Sequence, residues 1–352
     1  MSAPSVARHR IRWKATVALA GGALVGPSSV VWAASQPQDM LAVVKRIQEA
    51  AQRRSFVGTY VVSHGGHMTS SRITHFCDGH DQIERIEALD GQMRQVYRHN
   101  DTVHVLWPGS RTALIEQREL VGRFPAPLQP GDGTQLEQYE LQTGGDERVA
   151  GHDAQVVLFK PRDALRYPRR LWMERRTGLL LRSDLLNERG EALESASFSE
   201  LQFNVRLSAQ TLLQEMNRLD GYKVSKPVYL PTSLDSEGWT MHPPVAGFET
   251  LQVVRRPMAP WIARSAASGV SETAGPADNA MVLQAVYSDG LTHVSVFIEP
   301  FVATLHKREM PATVGSTSAL SHRQGDWWIT AVGAVPVAAL QQFIGSLERR
   351  KP

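Results

Sequence analysis

The chain has 352 residues, 42% of them apolar and 21% charged, which excludes a disordered, collagen-like or disulfide-framework protein and leaves room for two ordinary domains. The formal net charge of +3 is concentrated at the start, where residues 1–33 hold Arg8, Arg10, Arg12 and Lys14 and no acid, leaving 34 basic against 35 acidic residues elsewhere. A near-neutral remainder has no bulk electrostatic reason to bind DNA or RNA, so no nucleic-acid partner is expected.

The basic stretch through Lys14, the uncharged run Ala15 to Val31 and the tripeptide Val31-Trp32-Ala33 read as a secretory signal cleaved after Ala33. A permanent anchor fits less well, because the apolar run is short for a span and is interrupted by Pro27. No cysteine follows it to take a lipid. The lone Cys77 is expected to be buried, with stability coming from the core.

From Met40 to Arg54, Leu41, Val44, Ile47, Ala50 and Ala51 recur at helical spacing and predict one amphipathic helix. From Phe56 to Phe203, short runs rich in Val, Ile, Tyr and Leu alternate with turn signals such as Gly65-Gly66, Asp90-Gly91 and Thr177-Gly178. That rhythm predicts an antiparallel meander. So many strands must curl or close to hide their edges, and a helix can plug the concave face. The stretch Phe124 to Pro130 reads as a surface loop. Between Arg206 and Lys226 the strand pattern lapses around a short helix over Thr211 to Leu219, ended by Asp220-Gly221.

The organisation expected is therefore a signal peptide over 1–33, a large domain over 34–205, a linker over 206–226 and a small α+β domain over 227–352. In the last, Met281 to Tyr287 and Leu291 to Glu299 form a hairpin around Ser288-Asp289-Gly290, Trp327 to Val332 a strand, and Pro336 to Arg350 a final helix. Ala259 to Asn279 and Pro311 to Gly325 read as loose segments.

Chemistry-bearing patterns are sparse. His64, His67, His75 and His80 are bunched, but no Cys pair accompanies them and Gly65-Gly66 reads as a hairpin tip, so no metal is assigned. No Gly-x-Ser-x-Gly elbow and no phosphate-cradling glycine loop occurs, so neither a catalytic residue nor a cofactor is assigned. Asp78, Asp81 and Asp289 sit in predicted turns, where Asp is favoured for its local hydrogen bonds. Apolar residues exceed a tidy alternation at Trp107, Phe159, Trp172, Leu179 to Leu181 and Leu185-Leu186. Most of these are core residues, yet a curled sheet that does not close leaves a concavity suited to an acyl chain. Binding rather than catalysis is the expectation.

Several strings resemble one family. They are Ser55-Phe56-Val57-Gly58-Thr59-Tyr60, Arg72-Ile73-Thr74-His75, Glu84-Arg85-Ile86 and Arg94-Gln95-Val96-Tyr97-Arg98. Pro161-Arg162-Asp163, Arg166-Tyr167 and Leu171-Trp172 follow, then Gly238-Trp239, Gly247-Phe248, Tyr287-Ser288-Asp289-Gly290-Leu291 and Val294 to Glu299. In this order they resemble the RseB/MucB family of periplasmic sigma-E regulators. The resemblance implies a LolA/LolB-like N-terminal domain, a half-open antiparallel β-barrel over a helix, joined to a smaller α+β C-terminal domain. It also implies a non-enzymatic periplasmic regulator that binds the periplasmic part of an RseA/MucA-type anti-sigma factor and shields it from regulated proteolysis. Lipopolysaccharide or another acyl-chain ligand would release the shield. A lipid or lipoprotein carrier of LolA/LolB type is the rival reading, and a homo-oligomer stays open. Phe56, Tyr60, Trp107 and Trp172 are nominated for the lipid cavity, and Trp239, Phe248, Tyr287 and Phe297 as partner-binding anchors.

Overall fold

Met40, Val44, Ile47 and Ala50 fall on one side of the opening helix and are all buried, so the predicted apolar stripe becomes the contact face of α1 (Pro37–Arg53). In the computed structural model the described residues are 33–34, 37–79, 81–117, 134–242, 244–257, 281–306 and 311–350. The signal segment up to Trp32, His80, the Phe124 to Pro130 loop and Ala259 to Asn279 lie outside them.

The first half of the chain is one sheet. Its strands are β1 (Ala33–Ala34), β2 (Phe56–His64), β3 (His67–Cys77), β4 (Gln82–Ala88), β5 (Gln95–His99), β6 (Thr102–Trp107) and β7 (Thr112–Gln117). They continue with β8 (Tyr139–Val149), β9 (His152–Pro161), β10 (Arg169–Glu174), β11 (Leu180–Leu186), β12 (Ala192–Phe203) and β13 (Lys223–Ser225). The order is β1-β8-β9-β10-β11-β12-β2-β3-β4-β5-β6-β7-β13, antiparallel except where β13 runs parallel to β7. Strands β1 and β13 do not pair, so among the described residues the sheet is open. It curls tightly enough that β8 approaches β12 across three intervening strands. Helix α1 packs into that curl, its apolar side chains joining Tyr139, Leu141, Phe159, Leu171 and Met173. At the opposite end, α2 (Ala209–Met216) covers β4 and β5, with Met216 against Tyr97, Leu106 and Ala113. Its Ser208 hydroxyl caps the first turn by accepting from Thr211 N at 3.2 Å. The stretch expected as a linker thus holds α2 and β13, both packed on the first sheet.

Sheet membership switches between Ser225 and Leu230. The second sheet comprises β14 (Leu230–Pro231), β16 (Glu249–Pro257), β17 (Met281–Ser288), β18 (His293–Pro300), β19 (Ala312–Val314), β20 (Thr317–Gln324) and β21 (Trp327–Gly333), in the order β14-β16-β17-β18-β21-β20-β19. Helix α3 (Val337–Gly345) packs on it through Ala339, Leu340, Phe343 and Ile344. A two-stranded ribbon of β15 (Trp239–Met241) and β22 (Leu347–Arg349) completes this lobe. Residues 32–352 form one compact unit.

Several expectations are met in detail. The turn between β2 and β3 places Gly65 and Gly66 at φ of 56° and 81°, the left-handed pair a tight hairpin requires, with His64 opposite His67. Others need correction. The final helix ends at Gly345 and Leu347 opens a strand, because pairing with β15 buries Leu347 in the core and outweighs helix continuation. The Ser- and Thr-rich stretch after Pro311 is a strand pair, since its alternating side chains pair with β21. Cys77 is half-buried rather than fully enclosed, with its backbone N–H donating to Ser55 Oγ at 3.0 Å. Taken whole, the described chain is mostly sheet with few helices.

Candidate binding site

The register gathers the residues nominated for a lipid cavity. Gly58 opposes Ile73, Ile73 opposes Ile86, Ile86 opposes Val96 and Val96 opposes Val105. Phe56 and Tyr60 flank Gly58 two residues away, and Trp107 follows Val105 by two, so all three share one face. Trp172 reaches the same cluster from β10, among Phe56, Val156, Leu181 and Phe198.

That face is already well filled beneath α1. Phe56 is 1% exposed, stacked on His75 at 4.9 Å and edge-on to Phe198 at 5.9 Å. Trp172 is 2% exposed; its Nε1 donates to Glu147 at 2.8 Å, and the Arg182 guanidinium sits 4.4 Å over its ring. Tyr60 and Trp107 are half-buried. Burial pushes the Tyr60 hydroxyl pKa up, and the nearby Glu194 carboxylate adds to it.

Sequence reasoning missed a polar row on this face beyond the helix. His75 Nδ1 lies 3.3 Å from Glu84 Oε1, and Arg98 pairs with the other carboxylate oxygen at 3.5 Å. Further along, the buried Glu116 accepts from the Tyr229 hydroxyl at 2.7 Å, and Arg256 donates to that hydroxyl at 3.3 Å. The concave face is therefore apolar under α1 and polar toward β7, where Tyr229 and Arg256 of the second lobe meet it. Only the alternation of Glu84, Arg98 and Glu116 with apolar neighbours could have signalled this.

The nominated partner anchors lie in the second lobe, and all four are buried. Trp239 is 1% exposed and edge-on to Trp327 at 5.6 Å, while Phe248 and Tyr287 each meet Phe343 at 5.1 Å. Burial raises the Tyr287 hydroxyl pKa. Phe297 is buried on the face opposite Val294, Val296 and Ile298. These rings build the core of the lobe, whose central strands are covered on both faces, and they do not form an exposed surface. The exposed aliphatics lie instead on the connector, at Val224, Val228 and Leu230.

The lobes meet at a buried carboxylate. Asp289, in the β17–β18 turn, has no solvent exposure. Its Oδ1 accepts from the backbone N–H of Leu291 at 3.0 Å and of Thr292 at 2.8 Å. Its Oδ2 accepts from Tyr139 Oη and Arg166 Nε, each at 2.7 Å. Arg166 also pairs with Asp163, donates to the Ala246 carbonyl and lies 4.6 Å over the Phe248 ring. Burial, then the Asp289 charge, drives the Tyr139 hydroxyl pKa well up. Leu291, beyond the turn, inserts into the apolar cluster beneath α1. The turn assigned to Asp289 is thus present, and it doubles as an interlobe lock.

A second contact is more open. The Ser316 hydroxyl donates to Glu194, whose Oε2 lies 3.2 Å from His64 Nδ1. Gly315 permits this approach, because a Cβ there would overlap the His64 ring. His64 is thus engaged at the lobe boundary. Among the described residues no three His, Cys, Asp or Glu side chains gather as a metal centre would need, and no helix is long and apolar enough to cross a membrane.

Comparison with known proteins agrees with this two-lobed layout. The MucB/RseB N-terminal domain matches residues 39–216 and the MucB/RseB C-terminal domain residues 233–348. The chain is 29% identical over 328 residues to the sigma factor AlgU regulatory protein MucB of Pseudomonas aeruginosa, covering 89% of this chain and 92% of the relative. It is 22% identical over 312 residues to the sigma-E factor regulatory protein RseB of Haemophilus influenzae, covering 87% and 90%. The crystal structure of MucB in complex with MucA(peri) superposes with a TM-score of 0.64 at 26% identity, covering 89% of this chain and 99% of that one. The crystal structure of MucB superposes with a TM-score of 0.60 at 24% identity, covering 92% and 100%. Both halves match in order across nearly all of the described residues, and the chain belongs to the MucB/RseB family.

Proposed function

We propose that this chain is a periplasmic, non-enzymatic regulator that binds the periplasmic part of a membrane-spanning anti-sigma factor and shields it from regulated proteolysis. The observation that carries this reading is the match of both lobes to MucB, a relative solved in complex with MucA(peri). In this reading the signal peptide leaves after Ala33, the large domain spans 34–205, the connecting stretch 206–226 and the small domain 227–352. The switch of sheet membership between Ser225 and Leu230 supports that division.

The first lobe works as a half-open barrel of LolA/LolB type, a reading supported by its open strand order and the curl around α1. Its concave face offers an apolar region beside a row of buried charges, which fits an amphipathic lipid with an acyl chain and a charged head, lipopolysaccharide included. Tyr60 and Trp107, which keep partial exposure, mark the mouth; Phe56 and Trp172 line the floor and are reached only if α1 shifts.

Release follows from linkage. A lipid displaces the partner only by as much as it prefers the free regulator over the complex, and the weakening is mutual. Titrating the MucA-type periplasmic segment with the full chain, alone and with saturating lipopolysaccharide, tests this. Weaker binding with lipid is the expected result; equal affinity under both conditions would remove the lipid switch and leave the binding reading intact.

A further inference from the structure

A groove of about 590 Å³ runs along the second lobe, lined by Leu320, Ser321 and His322 of β20, Gln341 and Ile344 of α3, and Leu347 of β22. Three consecutive residues of β20 line it. Side chains alternate faces along a strand, so a groove touching all three runs along the strand's edge and not against one face.

That edge is open. Strand β20 pairs with β21 along its whole length, but β19 covers only Thr317 to Ala319 on the other side. From Leu320 to Gln324 no described strand pairs with the outer edge. Five residues give about 17 Å of backbone with outward donors and acceptors, beside a helix that forms the opposite wall. Gln324 also lines the groove; its Nε2 donates to the Leu347 carbonyl at 3.2 Å, while its buried Oε1 has no hydrogen-bond partner. The Glu348 carboxylate stands at the same wall.

We propose that this groove is a strand-addition site, in which an extended segment of the anti-sigma partner pairs with β20 from Leu320 to Gln324 and packs against α3. This rests on the reading of the partner given above. The lining specifies the segment. Leu320, Ile344 and Leu347 accept an aliphatic side chain, whereas Gln324 Oε1 and the Glu348 carboxylate ask for a donor, best a Lys or Arg. An acyl chain would satisfy neither the open backbone edge nor the buried amide oxygen.

Gly345 supplies a clean test, because it lines the groove and a Cβ placed on it meets nothing within 4 Å. The Gly345→Trp chain fills the groove, and Gly345→Ala is the control. Affinity for a recombinant MucA-type periplasmic segment is measured by calorimetry, and hydrogen exchange of the wild-type complex follows the amides of residues 320–324. Loss of about tenfold or more in affinity for the Trp variant alone, with protection of those amides in the wild-type complex, is the expected result. Wild-type binding without that protection overturns the groove and leaves the partner reading standing. Failure of the wild-type chain to bind at all removes both. Protection by lipopolysaccharide alone, or by rising concentration of the chain alone, assigns the edge to lipid or to a second copy and also overturns the proposal.

Discussion

At Asp289 the lobes are joined by a carboxylate with no exposure, whose two oxygens accept four hydrogen bonds from both sides of the junction. At Ser316 they are joined by a hydroxyl and an ion pair whose side chains are 28% and 37% exposed. The first contact sits in a low-dielectric interior, where a satisfied charge fixes geometry and an unsatisfied one is costly. The second competes with water and contributes little. The contrast teaches where the pair of lobes resists rearrangement and where it yields. A conformational response to ligand can open the Ser316 side at small cost, with the Asp289 side acting as the fixed end.

Substitutions can break that comparison. Asp289→Ala strands the Arg166 guanidinium, itself wholly buried, and the Tyr139 hydroxyl, and should cost about 3–5 kcal/mol in urea unfolding. A loss near zero would mean that the lock is only a turn. Gly315→Ala places a methyl at φ of 58° against the His64 ring and should cost about 1–2 kcal/mol, accompanied by faster exchange near Ser316. Glu194→Gln removes the charge and keeps an acceptor for Ser316. Its cost should stay below about 1 kcal/mol and shrink with added salt. A salt-independent loss equal to that of Asp289→Ala would erase the distinction between the two contacts.

The smallest effect lies away from the junction and appears only as a slope. Burial pushes Glu299 up to about 7, so its folded form prefers the proton. Stability contributed by that protonated form is full below the ordinary carboxylate pKa and is lost as pH rises through about 7. Burial lowers the pKa of neighbouring His306, 3.5 Å away, which disfavours its charged form and tilts the profile the opposite way below its ordinary value of 6.5. Glu299→Gln should flatten the decline toward neutral pH in a series of thermal melts. An unchanged slope would show that Glu299 titrates as in water.

Much of the fold was legible because its signals are local. The spacing of Met40, Val44, Ile47 and Ala50 announces α1, and the His64-Gly65-Gly66-His67 turn announces the first hairpin. The end of α3 was not, since Leu347 continues the apolar stripe of Leu340, Phe343 and Ile344 and leaves the helix only because β15 is present to pair with it. The Ser- and Thr-rich β19 and β20 likewise depend on β21, a partner that composition cannot reveal. Sequence identified the aromatic residues of both lobes, but not which would be exposed; Trp239, Phe248, Tyr287 and Phe297 became core. The junction was visible only as two separate strings. Arg166 and Asp289 both lie in segments that carry the family resemblance, but 123 residues separate them, and only the fold brings Arg166, Asp289 and Tyr139 together.

The central claim is that this chain shields an anti-sigma factor, and the rate at which the site-specific periplasmic protease cleaves the MucA-type segment measures it directly. With saturating wild-type chain present, cleavage should slow markedly and recover when lipopolysaccharide is added. Cleavage at the same rate with and without the chain would contradict the account.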